Sequence, residues 1–142
     1  IVAKGGNLLL NIAPSPKGEW QDGAYNLLKE YGDWMNINSE AIYNSKTLAP
    51  YKENNICMTQ QKNGNVYFFY MTKKEEKNMP SEITINSHQP IKGSDVTLLG
   101  SKQKLSWKEN GNGFTITIPK KLQNNPPSNY VWTFKVSAIK KK

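Results

Sequence analysis

From about residue 41 to its end the chain alternates apolar and polar side chains with a period of two, and turn residues interrupt the alternation at short intervals. Alternation of this kind marks strands with one buried face, and many short strands in succession predict an antiparallel β-sandwich. Strands are expected at about 41 to 45, 55 to 60, 65 to 72, 82 to 86, 95 to 99, 104 to 108, 113 to 118 and 130 to 139. Lys62-Asn63-Gly64-Asn65 and Asn110-Gly111-Asn112-Gly113 supply hairpin turns, because Asn and Gly accept the positive φ angles such turns demand. In the last strand Tyr130, Trp132, Phe134, Val136 and Ala138 share one face, with Thr133, Lys135 and Ser137 on the other. One strand breaks the rule: Val66, Phe68 and Tyr70 point one way and Tyr67, Phe69 and Met71 the other, so both its faces are apolar. The second face is expected to dock on a helical layer and on whatever precedes residue 1.

Before residue 41 the pattern differs. Leu8, Leu9, Leu10 and Ile12 form a nearly continuous apolar run, as in a strand covered on both faces, and residues 1 to 12 are expected to be that strand. Pro14-Ser15-Pro16-Lys17-Gly18 ends it. An amphipathic helix is expected at about 22 to 37, set by Ala24, Leu27, Leu28, Tyr31, Trp34 and Met35, with Asp22 as N-cap and Asn38 ending it in the left-handed conformation. Trp34 is read as a packing anchor, and mid-helix Gly32 as the mark of close approach to a sheet. The fold class is thus mainly β: an antiparallel sandwich over 41–142 preceded by one βα unit over 1–40, of the kind that ends a βα repeat. A lone βα unit buries neither face, so the chain is expected to begin in mid-domain, which its lack of an initiator Met suits. Exposed Leu8 to Ile12 would then invite self-association or a partner. In an α/β barrel the loops after the strands line the catalytic face, which makes Asn11 the candidate substrate-binding residue. Its alternative is a hydrogen bond to neighbouring backbone.

Composition narrows the function. Hydrophobic residues make up 37% of the 142, enough for a packed core, and no apolar run reaches the ~18 to 20 residues of a membrane span. Net charge is +8, yet every basic residue is Lys. Nucleic-acid readers lean on Arg for bidentate contacts, so the lysines, including the frayed Lys140-Lys141-Lys142 tail, read as a solubilising surface. No nucleic-acid or membrane partner is expected. Cys57 is read as a buried structural thiol, and neither a metal site nor a cofactor is expected. His88, in a Ser-His-Gln-Pro turn, reads as a surface residue without triad partners, and Glu75-Glu76 as a solvated cluster.

Gly6-Asn7-Leu8-Leu9-Leu10-Asn11-Ile12-Ala13-Pro14, Leu28, Gly32, Trp34 and Ile37-Asn38-Ser39-Glu40-Ala41-Ile42-Tyr43 resemble the closing part of the catalytic barrel in the α-L-fucosidases of glycoside hydrolase family 29. Val96-Thr97-Leu98-Leu99-Gly100 and Tyr130-Val131-Trp132-Thr133-Phe134-Lys135 resemble that family's C-terminal β-sandwich. Ala13 and Ser39 stand where glycine is usual in the family. The resemblance implies retaining cleavage of terminal α-L-fucose by an Asp nucleophile and a separate acid/base on earlier barrel strands, none of it in this chain. It also implies a periplasmic or secreted protein that acts on fucosylated glycans. Glu40, in the exit motif, is read as tying the helix end to the sandwich. The chain would be non-catalytic by itself, bracing the barrel and its cleft. The other reading is an independent carbohydrate-binding sandwich with an exposed aromatic platform, for which Trp20, Trp107 and Trp132 are the candidates. Trp132 and Trp107 share apolar strand faces, and Trp20 at the helix entrance suits a staple contact.

Overall fold

The computed structural model describes residues 1 to 140; Lys141 and Lys142 of the expected frayed tail lie outside the described residues. Helix α1 (Asp22–Ile42) is followed by strands β1 (Ser45–Glu53), β2 (Ile56–Gln61), β3 (Val66–Met71), β4 (Glu82–Ile85), β5 (Val96–Leu98), β6 (Trp107–Asn110) and β7 (Gly113–Thr117), then by the short helix α2 (Lys120–Asn124) and strand β8 (Val131–Val136). Five strands pair in the order β1-β2-β3-β8-β5 and three in the order β4-β7-β6, all antiparallel.

The two sheets close on each other because each turns its apolar alternation inward. Ile56, Met58, Val66, Phe68, Val96, Leu98, Trp132, Phe134 and Val136 from the larger sheet meet Ile83, Ile85, Phe114 and Ile116 from the smaller. Register aligns them: Phe68 stands opposite both Met58 and Phe134, and its ring meets Phe114 edge-on across the sandwich at 5.6 Å. Each such fully buried side chain contributes roughly 1.5–3 kcal/mol of transfer free energy. Where β4 and β7 come closest the sheet requires glycine, since a Cβ on Gly113 would lie 2.0 Å from the Ile85 carbonyl oxygen.

The far face of the larger sheet carries the second apolar set of β3, and α1 covers it. Tyr67, Phe69 and Leu99 are buried against Ala41, with Trp34, Ile37, Ile42, Cys57 and Val131 packed around them. The double-faced β3 is therefore the central strand of three layers: small sheet, large sheet, helix.

Several expectations are corrected. Residues 1 to 12 do not form a strand; Val2–Lys4 make a 3₁₀ turn with Ala3 buried, and residues 6 to 15 have no regular structure. A strand needs paired neighbours for its N–H and C=O groups, and none of the described strands pairs with this run, although Gly5 comes close to Thr47 of β1. The helix passes the expected end at 37, because Asn38 is buried inside it and donates to the Trp34 carbonyl at 2.9 Å instead of turning left-handed. Asn44, with φ 57°, makes that turn, so the expected strand 41–45 becomes β1 at Ser45–Glu53. Pro50 and exposed polar side chains disguise β1, which tolerates them as an edge strand with an irregular register between Thr47 and Lys52. The N-cap is Gln21, with Asp22 in the first turn beside the positive end of the helix dipole. Gly32 has open space at its Cβ position, so no sheet approaches it here.

Candidate functional site

Among the described residues, the first forty expose several large apolar side chains. Leu9 is 88% exposed, with Leu8, Leu10, Leu27 and Tyr31 also open to solvent. A groove of about 860 Å³ opens beside them, with Leu8, Tyr31 and Met35 on one flank and Cys57, Phe69 and Met71 on the other. The stripe expected on α1 thus divides. Trp34, Ile37 and Ala41 meet the sheet, while Leu27 and Tyr31, nearer the start of the same helix, are exposed. Exposed apolar side chains beside a groove are what an interaction site presents.

The helix that presents the surface is fastened to the sandwich at several points. The Trp34 indole donates to the Val131 carbonyl at 3.1 Å, and the Thr59 hydroxyl to the Ala41 carbonyl at 2.9 Å. Lys135 donates to both Glu40 carboxylate oxygens at 3.3 Å and lies 5.9 Å from the Tyr67 ring centroid. The Gln61 amide donates to the Glu40 carbonyl. Burial, with the Glu40 charge nearby, pushes the Tyr67 phenol up to about 12. At the other end of the interface the Tyr130 hydroxyl donates to Glu30 at 2.7 Å. Glu40 therefore links helix to sheet.

Most of the carboxyl groups on this chain are held in ion pairs or hydrogen bonds. A retaining glycosidase needs two carboxyl groups ~5 Å apart, one ionised and one protonated. Asp33, Asp95, Glu82 and Glu109 instead pair with Lys29, Lys104, Lys108 and Lys140. Glu76 departs from the expected solvated cluster: it accepts from the Tyr70 hydroxyl at 2.9 Å and the Lys73 N–H at 3.1 Å, leaving Glu75 exposed. Burial pushes the Glu53 carboxyl up, but hydrogen bonds from Asn86 and Ser87 outweigh it and hold the group below the usual range. Glu53 thereby ties the end of β1 to the segment that follows β4. Its role was not legible in the sequence, since the partners lie 33 and 34 residues away.

The other candidates separate. Asn11 is exposed within the irregular segment, apart from the groove-lining residues. His88 is buried rather than on the surface, its Nδ1 3.0 Å from the Ser87 hydroxyl and its ring 6.2 Å from Phe68; the turn it occupies folds inward onto the core. Cys57 is half-buried beneath α1. Trp132 is 1% exposed and stacks on Tyr70 at 5.4 Å, and Trp107 spends its N–H on the Ser94 carbonyl at 3.1 Å. Trp20 is the tryptophan left open, and it meets Tyr25, a residue the sequence reading passed over. Among the described residues no three His, Cys, Asp or Glu side chains gather as metal ligands, and no helix is long and apolar enough to cross a membrane.

A self-contained sandwich with a helix fixed to one face and an uncovered apolar stripe on that helix defines an accessory β-domain shaped to adjoin a larger body. Comparison with known proteins agrees. Residues 50–137 match the family described as the α-L-fucosidase C-terminal domain, and residues 1–40 match the family described as α-L-fucosidase. The chain belongs to the α-L-fucosidase family through that C-terminal domain. It is 32% identical over 141 residues to tissue α-L-fucosidase of Mus musculus and 32% identical over 152 residues to α-L-fucosidase of Dictyostelium discoideum, in each case over 97% of this chain. The chain spans only 30% and 31% of those relatives and corresponds to their C-terminal part. Among solved structures, the Thermotoga maritima α-fucosidase in complex with a mechanism-based inhibitor superposes with a TM-score of 0.77 at 25% identity, over 96% of this chain and 31% of that one. An α-L-fucosidase of Bacteroides thetaiotaomicron shares the fold at a TM-score of 0.70 and 24% identity.

Proposed function

We propose that this chain is the bracing C-terminal part of an enzyme that removes terminal α-L-fucose from glycoconjugates with retention of configuration. Catalysis belongs to an N-terminal barrel whose last strand and helix are residues 1 to 40, and residues 41 to 142 are the sandwich that holds them. The observation that carries this is the mismatch between the two parts. The two sheets bury their facing apolar side chains in one core, whereas Leu8 to Leu10, Leu27 and Tyr31 lack a cover. A strand that forms only when its neighbours are present explains why the apolar run is irregular here. The carboxyl pairings above supply no nucleophile and acid/base pair, so the carboxyls that cleave the bond lie on that barrel.

The same open surface gives the chain a tendency to self-associate when the barrel is not there to cover it. The family resemblance supports a periplasmic or secreted setting for the enzyme. The reading as an independent sugar-binding sandwich loses two of its candidate platforms, since Trp107 and Trp132 are committed to packing.

The test is hydrolysis of a chromogenic α-L-fucoside by the 142-residue chain beside the complete polypeptide, with size-exclusion chromatography of both. Activity and a monodisperse profile only in the complete polypeptide are expected. Turnover by the chain alone would refute the assignment.

A further inference from the structure

The Trp20–Tyr25 pair is an aromatic surface that neither the sandwich nor the uncovered stripe of α1 explains. Trp20 is 41% and Tyr25 51% exposed, and their rings meet at 5.6 Å between centroids with 47° between planes. At about 100° per residue round α1, Trp34, Asn38 and Ala41 define the sheet-facing side, and Ala24, Leu28, Tyr31 and Met35 fall roughly 60–120° from it. Tyr25 lies about 180° from Trp34, in the sector of Lys29, Asp33 and Asn36. An aromatic ring in the polar sector contributes to neither packing face, and among the described residues its ring partner is Trp20.

Trp20 closes the loop that leads from the Leu8–Ile12 run into α1. In an α/β barrel such loops line the mouth where substrate lies. Two exposed rings set at an angle make an open corner, and the C–H face of a pyranose packs on such rings while its hydroxyls stay in water. Lys17, Glu19 and Asp22 flank the pair with both signs of charge, so the corner suits an uncharged sugar. We propose that Trp20 and Tyr25 form a subsite for the neutral sugar that carries the fucosyl group, the leaving-group side of the scissile bond. This rests on the proposed fucosidase reading. The role given to the two rings is to hold the departing sugar.

The complete polypeptide tests this with two kinds of substrate. α-L-Fucosyl fluoride has a leaving group of one atom, whereas 2′- and 3-fucosyllactose present sugars beyond the fucose. In Trp20→Ala and Tyr25→Ala the ratio of kcat/KM for the fucosyllactose to that for the fluoride is expected to fall about three- to tenfold, carried by KM. Trp20→Phe, which keeps a ring, is expected to recover most of it. Equal losses on both substrates, no loss on either, or a wild type that cleaves the fluoride but neither fucosyllactose would each overturn the subsite. A wild type that cleaves no fucoside at all would instead overturn the fucosidase reading.

Discussion

Phe68 and Phe69 are neighbours in β3 that serve different layers, and truncating each in turn separates the layers energetically. Phe68 is fully buried, stands between Met58 and Phe134 in register, and meets Phe114 at 5.6 Å and His88 at 6.2 Å. Phe69 is 6% exposed and packs toward α1, beside side chains that are themselves half-buried. Phe→Ala in a core costs about 3–5 kcal/mol, and an aromatic pair adds about 0.5–1.5 kcal/mol. Phe68→Ala should therefore cost about 4–5 kcal/mol. Phe69→Ala, whose surroundings can collapse toward the open groove, should cost about 2–3 kcal/mol. At this chain length Phe69→Ala lowers Tm by about 6–12 °C. Urea unfolding followed by far-ultraviolet circular dichroism, with native-state amide exchange, distinguishes them. In Phe69→Ala the amides of α1 should lose protection while those of β3 and β8 keep theirs, because helix and sandwich open as separate units. Phe68→Ala should weaken both sheets. A Phe69→Ala variant that costs as much as Phe68→Ala, or that leaves α1 protection unchanged, would refute the three-layer account.

Two further outcomes are expected. Gly113→Ala places a methyl group against rigid backbone, the Ile85 carbonyl and Asn86 Cα, and should destabilise the chain by about 3 kcal/mol or more, read as a lower urea midpoint; a cost under 1 kcal/mol would mean that β4 and β7 are not in the described register. Glu53→Gln should cost about 1 kcal/mol at neutral pH after solvent screening. Because its folded pKa is depressed, that stabilisation is present above the ordinary value of 4.5 and disappears as pH falls through the lower folded value, so wild type and variant should converge in acid. A constant difference across that window would show that the charge is not what Asn86 and Ser87 hold.

Local pattern alone determined the sandwich. Alternation and the Asn-Gly turns place β2, β3, β4, β5 and β7 within a residue or two, β8 ends three residues before the expected 139, and the doubly apolar β3 announces a third layer. These features are legible because each depends on a strand's own period or on the φ preference of a turn residue. What the sequence could not reveal depends on neighbours distant in the chain. Asn38 reads as a helix stop, but burial under the sheet holds it in helical geometry. Pro50 argues against a strand until β1 proves to be an edge. His88 reads as surface until Phe68 is found beside it. The same reason governs the first twelve residues in the opposite sense. Leu8 to Ile12 have every local mark of a buried strand, yet strand structure consists of hydrogen bonds to partners, and no strand among the described residues pairs with them. Period and turn chemistry are properties of a segment; pairing and burial belong to the tertiary structure.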